Sequence, residues 1–182
     1  MKIIGITGTL GAGKGTIVDY LVEHKGFLHF SVRHFLVKEI ELRNVPVNRD
    51  SMVMVANDLR SQHSPAYIAE ELYKLAIESG KNSVIESIRT PGEVDLLRSK
   101  ENFSLIAVDA LPEIRYQRIL LRNSETDKVS LSTFLENEKR EMDSSDPNHQ
   151  NLRKCIEMAD IVFQNNGSIE ELYAEIELNL TI

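Results

Sequence analysis

Within the first sixteen residues, Gly8 to Thr16 read G-T-L-G-A-G-K-G-T. Glycines let backbone amides turn toward a bound group with no side chain in the way. A helix opening at the end of such a loop adds unpaired amide donors and a favourable dipole. A loop of this kind is a nest for a polyphosphate. Lys14 can bring a movable positive charge to β- and γ-phosphates, and a hydroxyl just inside the helix can ligate Mg²⁺. In the general pattern G-x-x-x-x-G-K-[ST] that hydroxyl follows the lysine directly; here Gly15 intervenes and the hydroxyl is Thr16. Thr9, Leu10, Gly11, Ala12 and Gly13 complete the cradle, mainly through their backbones. The plainer alternative is a glycine-rich turn with a surface lysine.

Other residues fit the same chemistry by type and spacing. Glu86 ends an apolar run, where a carboxylate can hold the water shell of Mg²⁺ or accept a proton. Arg89 follows three residues later, and its planar fork suits a phosphate. Arg118 and Arg122 stand four apart, so a helix places them on one face, where they can converge on a transferring phosphoryl group. Each has a plainer reading as a solvated or ion-paired surface side chain. Arg140 is a weaker candidate of the same kind. Arg49, Asn57 and Arg60 fall on helices that would flank an acceptor pocket, or are merely the wet sides of those helices. His29, His34, His63 and His149 have no partners at metal-ligand spacing.

The elements that position these residues follow from periodicity and punctuation. Short apolar runs at 1–7, 27–30, 83–88, 103–108 and 161–164 are strands. Their unbroken apolar character is that of parallel strands covered on both faces. Helices are expected at 15–25, 35–42, 50–61, 65–79, 92–100, 112–122, 134–142, 150–158 and 169–180, with Ser64 capping the fourth and Ile114, Arg118 and Leu121 sharing a face of the sixth. The alternation predicts an α/β fold, a three-layer doubly wound parallel five-stranded sheet with ligands at the carboxyl ends of its strands. One domain over 1–182 is expected. It has a helix-rich insertion over about 31–80 and a lid over about 122–142, in which the polar stretch Asn123 to Ser132 suits a mobile flap.

The lysine-glycine-threonine ending of the loop resembles the adenylate kinase group of P-loop nucleoside monophosphate kinases. So do I-E-S-I-R-T-P-G-E-V over 85–94 and R-Y-Q-R-I-L-L-R over 115–122, the latter similar to the arginine-bearing helix before the lid of those enzymes. A-D-I-V-F-Q-N-N-G-S over 159–168 resembles the final strand and base-side loop of dephospho-CoA kinases. The resemblance implies ATP and Mg²⁺ as cofactors, Glu86 near the metal, Arg89 on the acceptor phosphate, and Asn165 and Gly167 on the adenine side. It also implies a nucleotide-like acceptor bound by the helical insertion. Ser31 to Leu36 depart from the family pattern, with Arg33 the candidate to replace its acceptor-side arginine, and this argues against simple AMP specificity. A nucleoside monophosphate is the leading acceptor, dephospho-CoA the alternative. An ATP-driven regulatory or assembly NTPase is the rival class. A GTP switch lacks its N-K-x-D segment.

Composition sets the outer bounds. The 182 residues are 42% hydrophobic and 27% charged, with a net charge of -7. That balance is of a globular chain and opposes broad binding to DNA or RNA. No stretch is long and apolar enough for a membrane, and M-K-I-I-G-I-T-G lacks the sections of a secretory signal, so the cytoplasm is the expected location. Cys155, the single cysteine, reads as a small helix residue. The oligomeric state is not legible.

Overall fold

The computed structural model describes residues 1–122 and 129–180. Five strands, β1 Ile3–Gly8, β2 Leu28–Ser31, β3 Ser83–Glu86, β4 Phe103–Asp109 and β5 Ile161–Gln164, are joined by helices. All pair in parallel, in the order β2-β3-β1-β4-β5. β1 is central and wholly buried, as its unbroken apolar run requires.

Successive β1 side chains point to opposite faces. Ile4 and Ile6 pack with Ile17 and Leu21 of α1 (Lys14–Lys25) and Leu172 and Ile176 of α9 (Ile169–Asn179). Ile3 packs on the other side, with residues of α2 (Val32–Leu42), α3 (Arg49–Gln62), α4 (Tyr67–Ser79), α5 (Pro91–Arg98) and α8 (Leu152–Glu157). Fully burying such an aliphatic side chain contributes about 1.5–3 kcal/mol. The sheet is therefore a rigid platform held from both faces. Two helices near the carboxyl ends of the strands, α6 (Pro112–Arg122) and α7 (Leu131–Met142), complete the set among the described residues. The expected flap over 123–132 lies outside the described residues for 123–128, and Leu131 and Ser132 open α7. None of the described helices is long and apolar enough to cross a membrane.

Local chemistry sets the boundaries that matter for the site. Asn48 caps α3 and Thr90 caps α5, each in a reciprocal capping box, with Ser51 and Glu93 respectively. β3 ends at Glu86 rather than running to Ile88. Ser87 adopts a left-handed φ of 72°, which no strand accommodates, and the amides of Ser87 and Ile88 both turn onto the Ile6 carbonyl, at 2.9 and 3.0 Å. α4 starts at Tyr67 without a side-chain cap, not at Pro65 behind Ser64. The Pro65 carbonyl is taken by the Thr90 hydroxyl at 3.0 Å, which ties this turn to the start of α5 instead. The buried face of α6 carries Arg115 and Ile119, not Ile114, Arg118 and Leu121. Leu121 is 85% exposed.

Candidate active site

The glycine loop joins β1 to α1 at the sheet's carboxyl end. Gly13 precedes α1 with φ 109°, no side chain caps this helix, and its first turn has no acidic residue. Among the described residues, then, no side chain takes up its opening amides, which is the arrangement an anion needs. A β-carbon at Gly13 would strike the Asn165 side-chain amide, so glycine is required there. Lys14 Nζ donates to the Gly8 and Thr9 carbonyls at 2.9 and 2.8 Å. Burial lowers its pKa from 10.5 to about 7, with the Arg89 charge adding to the effect.

Leu10, Gly11, Gly13, Lys14, Gly15 and Thr16 line one end of a cavity of about 560 Å³. Gly8, Thr9 and Ala12 form the buried layer beneath. The Thr9 hydroxyl is committed to Asp109 Oδ1 at 2.5 Å, so this residue serves the loop through its backbone. Asn165 lines the cavity and holds the loop from the far side, its amide donating to the Ala12 carbonyl at 2.8 Å.

Glu86 reaches the same cavity from the end of β3. Its burial raises its pKa, but a 3.2 Å hydrogen bond with His29 Nε2 and the Lys14 charge outweigh that and hold it below the usual carboxylate range. Beyond it, Arg89 Nη1 donates to Glu141 Oε2 at 2.9 Å and to Gln150 Oε1 at 2.8 Å. Arg49 Nη2 donates to the other Glu141 oxygen at 2.5 Å. Glu141 is 3% exposed. Burial raises its pKa, yet the charges of Arg89 and Arg49 keep it lowered and ionised. A carboxylate bridging two guanidinium groups mimics the way a phosphate would hold them.

A family model described as the AAA domain matches residues 4–146. A UPF0200 protein of Methanococcus vannielii is 33% identical across 99% of this chain and 93% of its own length. The chain belongs to this UPF0200 group of AAA-domain proteins. Among solved structures, a gluconokinase from Sinorhizobium meliloti 1021 is similar with a TM-score of 0.58 and 16% identity, over 96% of this chain and 88% of that one. A shikimate kinase from Aquifex aeolicus is similar with a TM-score of 0.52 and 15% identity, over 97% and 94%. The fold is that of the P-loop kinases.

For this UPF0200 chain, the structure brings most of the sequence candidates together and separates others. Lys14, Thr16, Glu86, Arg89, Arg118, Arg122, Arg33 and Asn165 all line the one cavity. Arg118 and Arg122 share that cavity but sit in different surroundings. Arg118 is docked on the Asn165 and Gly167 carbonyls, in the loop after β5, at 2.9 and 3.3 Å. Gly167 thus positions Arg118 and lies outside the wall of the main cavity, in a smaller neighbouring one. Arg122 lies close enough to Lys14 to depress its pKa further. Arg140 points away to Asp50 at 3.2 Å, and Asn57 is not on the cavity wall, whereas Arg49 and Arg60 are. Far from being on a wet helix side, Arg60 is 1% exposed and paired with Glu93 at 2.8 Å. Cys155 is buried, and that burial pushes its thiol up to about 12, so it is inert.

Three functional residues escape sequence reasoning. Arg115 is buried against the loop, donating to Ala110 and Leu10 carbonyls and pairing with Glu138 at 2.5 Å while its guanidinium stacks on Phe134. It ties α6 to α7 and the glycine loop. Glu141 follows Phe134 by seven residues, two helical turns on the same face; that register is the signal that singles it out over Arg140. Gln150 carries no local signal.

Among the described residues no cluster of histidine, cysteine and carboxylates could hold a metal alone. The donors present suit magnesium bound with phosphate: one hydroxyl at Thr16 and one ionised carboxylate at Glu86, both on the cavity wall.

Proposed function

We propose that this chain is an ATP-dependent phosphotransferase that moves the γ-phosphate of Mg-ATP onto the phosphate of a nucleoside monophosphate in the cytoplasm. The observation that carries this reading is a cavity with a polyphosphate nest at one end and two arginines converging on one anionic position at the other. Positioning two anions in line, and covering the charge that grows between them, is most of what phosphoryl transfer asks of a protein.

In this reading the glycine-loop amides and Lys14 hold the β- and γ-phosphates, and Arg118 and Asn165 shape the nucleoside side. Bound magnesium would draw charge from the β- and γ-oxygens, held by Thr16 and, through water, by Glu86. Arg89 and Arg49 hold the acceptor's phosphate in place of Glu141. One oxygen of that phosphate attacks the γ-phosphorus, the bond to the β-γ bridging oxygen breaks, and ADP leaves with those electrons. Arg122 and Lys14 cover the developing charge.

An acceptor phosphate is already ionised at neutral pH and needs no general base. An alcohol acceptor would require one, and Glu86, with its pKa held low, is a weak base. This favours a phosphate acceptor over a hydroxyl one such as dephospho-CoA, shikimate or gluconate. A coupled ADP-release assay over nucleoside monophosphates, dephospho-CoA, shikimate and gluconate tests the assignment. ADP formation that depends on a monophosphate is expected. Acceptor-independent hydrolysis would point instead to an ATP-driven regulator.

A further inference from the structure

Arg60 carries a feature that neither phosphate binding nor folding explains. Its Nε and Nη2 both donate to Glu93 Oε1, at 3.2 and 2.8 Å. Glu93 is wholly buried, and its other oxygen accepts the amides of Arg89 and Thr90 at 2.8 and 3.1 Å. One edge of the guanidinium thus anchors α3 to the loop that carries Arg89. Nη1 is buried and has no hydrogen-bond partner among the described residues. A buried donor without a partner is costly, and native proteins keep one where a ligand or water completes it. Arg60 lines the acceptor end of the cavity, beside the apolar side chains of Val32, Leu36, Met52, Val53 and Ala56. Along α3 it stands eleven residues from Arg49, roughly 16 Å at the helical rise.

We infer that Arg60 Nη1 reads the acceptor's base, selecting an oxo group over an amino group. The apolar wall suits a planar ring. An amino group facing Nη1 would set donor against donor and leave both unpaired, whereas a carbonyl oxygen offers two lone pairs. A carboxylate is disfavoured, because Glu93 already neutralises Arg60 and a second anion would be buried without a counter-charge. The inference rests on the kinase reading above and names the acceptor class within it.

IMP and AMP form one matched pair, oxo against amino at position 6, and UMP and CMP another, at position 4. Acceptor kcat/KM and calorimetric Kd should favour IMP and UMP by at least about tenfold within each pair. The Arg60→Lys variant keeps a charge for Glu93 and withdraws Nη1, so each ratio should fall to within about twofold. A merely structural Arg60 would lower melting temperature and weaken both members of a pair equally. Should the variant fail to fold, the wild-type ratios decide alone. Ratios near one, or favouring AMP and CMP, overturn the inference while leaving a kinase. Binding or turnover of no monophosphate at all overturns the kinase reading, and this inference with it.

Discussion

The two ends of the cavity are built in opposite ways. The phosphate end is one unbroken stretch, Gly8 to Thr16, whose shape is fixed by backbone conformation and whose single charged side chain is Lys14. The acceptor end is assembled from side chains on α2, α3, the loop after β3, α7 and the turn before α8. Each of three of its arginines is held by an acidic partner: Arg89 and Arg49 by Glu141, and Arg60 by Glu93. A site made of backbone tolerates sequence change around it, because amides are present whatever the side chains. A site made of opposed charges is adjustable, since one substitution alters both the charge and the position of its neighbours. Nucleotide binding should therefore be the robust half of this molecule and acceptor choice the plastic half.

The largest expected effect falls on the robust half. Lys14→Ala should cut kcat by at least about a hundredfold, since removing one preorganised charge from a transition state typically costs that much. The same change removes a buried, depressed lysine, so the variant should melt no lower than wild type. Retained activity would sink the loop's catalytic assignment. Arg89→Ala should act chiefly on the other half, reaching the phosphate end only through its charge on Lys14. Acceptor KM should rise and kcat/KM fall by at least about tenfold, corresponding to roughly 1.4 kcal/mol or more for a lost charge-assisted contact. ATP affinity measured without acceptor should stay nearly constant. If ATP binding falls with it, the two ends are not separate.

The same division decides what the sequence could disclose. β1, the loop and α1 are contiguous, so pattern and spacing suffice, and the strands announce themselves as unbroken apolar runs. Glu86 and Arg89 are also legible, because a strand end and the loop after it are local. Spacing alone does not disclose that Ser87 turns left-handed to separate them. For Arg118 and Arg122, helical spacing tells that they share a face, not what that face meets. Here it meets carbonyls of a loop some fifty residues away. Arg115 and Gln150 gain their meaning only from contacts across the chain, and a buried arginine on a polar-looking helix is indistinguishable from a solvated one until its partners are known.

The two halves meet electrostatically at Lys14, and this gives an intermediate effect. The unfolded chain keeps the Lys14 proton up to about 10.5, whereas the folded, unliganded chain releases it from about 7. Between those values the unfolded state binds more protons, so stability from this group rises with pH across the interval. Phosphates beside Lys14 favour its charged form. ATP binding at about pH 8 should therefore take up a fraction of a proton, read by calorimetry in buffers of different ionisation enthalpy. Lys14→Ala should abolish the uptake. Arg89→Ala should diminish it, because the Arg89 charge helps depress the lysine. Zero uptake in wild type would mean that Lys14 is charged throughout.

The smallest effect tests how far the phosphate end is backbone alone. At Gly13 an added methyl would collide with Asn165 and require a left-handed backbone, but at Gly15 the same methyl meets nothing within 4 Å. Gly15 also lies inside the first turn of α1, where glycine costs about 0.5–1 kcal/mol relative to alanine. The general loop pattern places serine or threonine directly after the lysine, so a β-carbon there is compatible with bound phosphate. Gly15→Ala should therefore raise the unfolding free energy by about 0.5–1 kcal/mol in denaturant titration. ATP affinity should stay within about threefold and acceptor KM unchanged. A tenfold loss of ATP affinity would show that the space beside Gly15 belongs to the ligand and that side-chain volume, not backbone alone, shapes this end of the cavity.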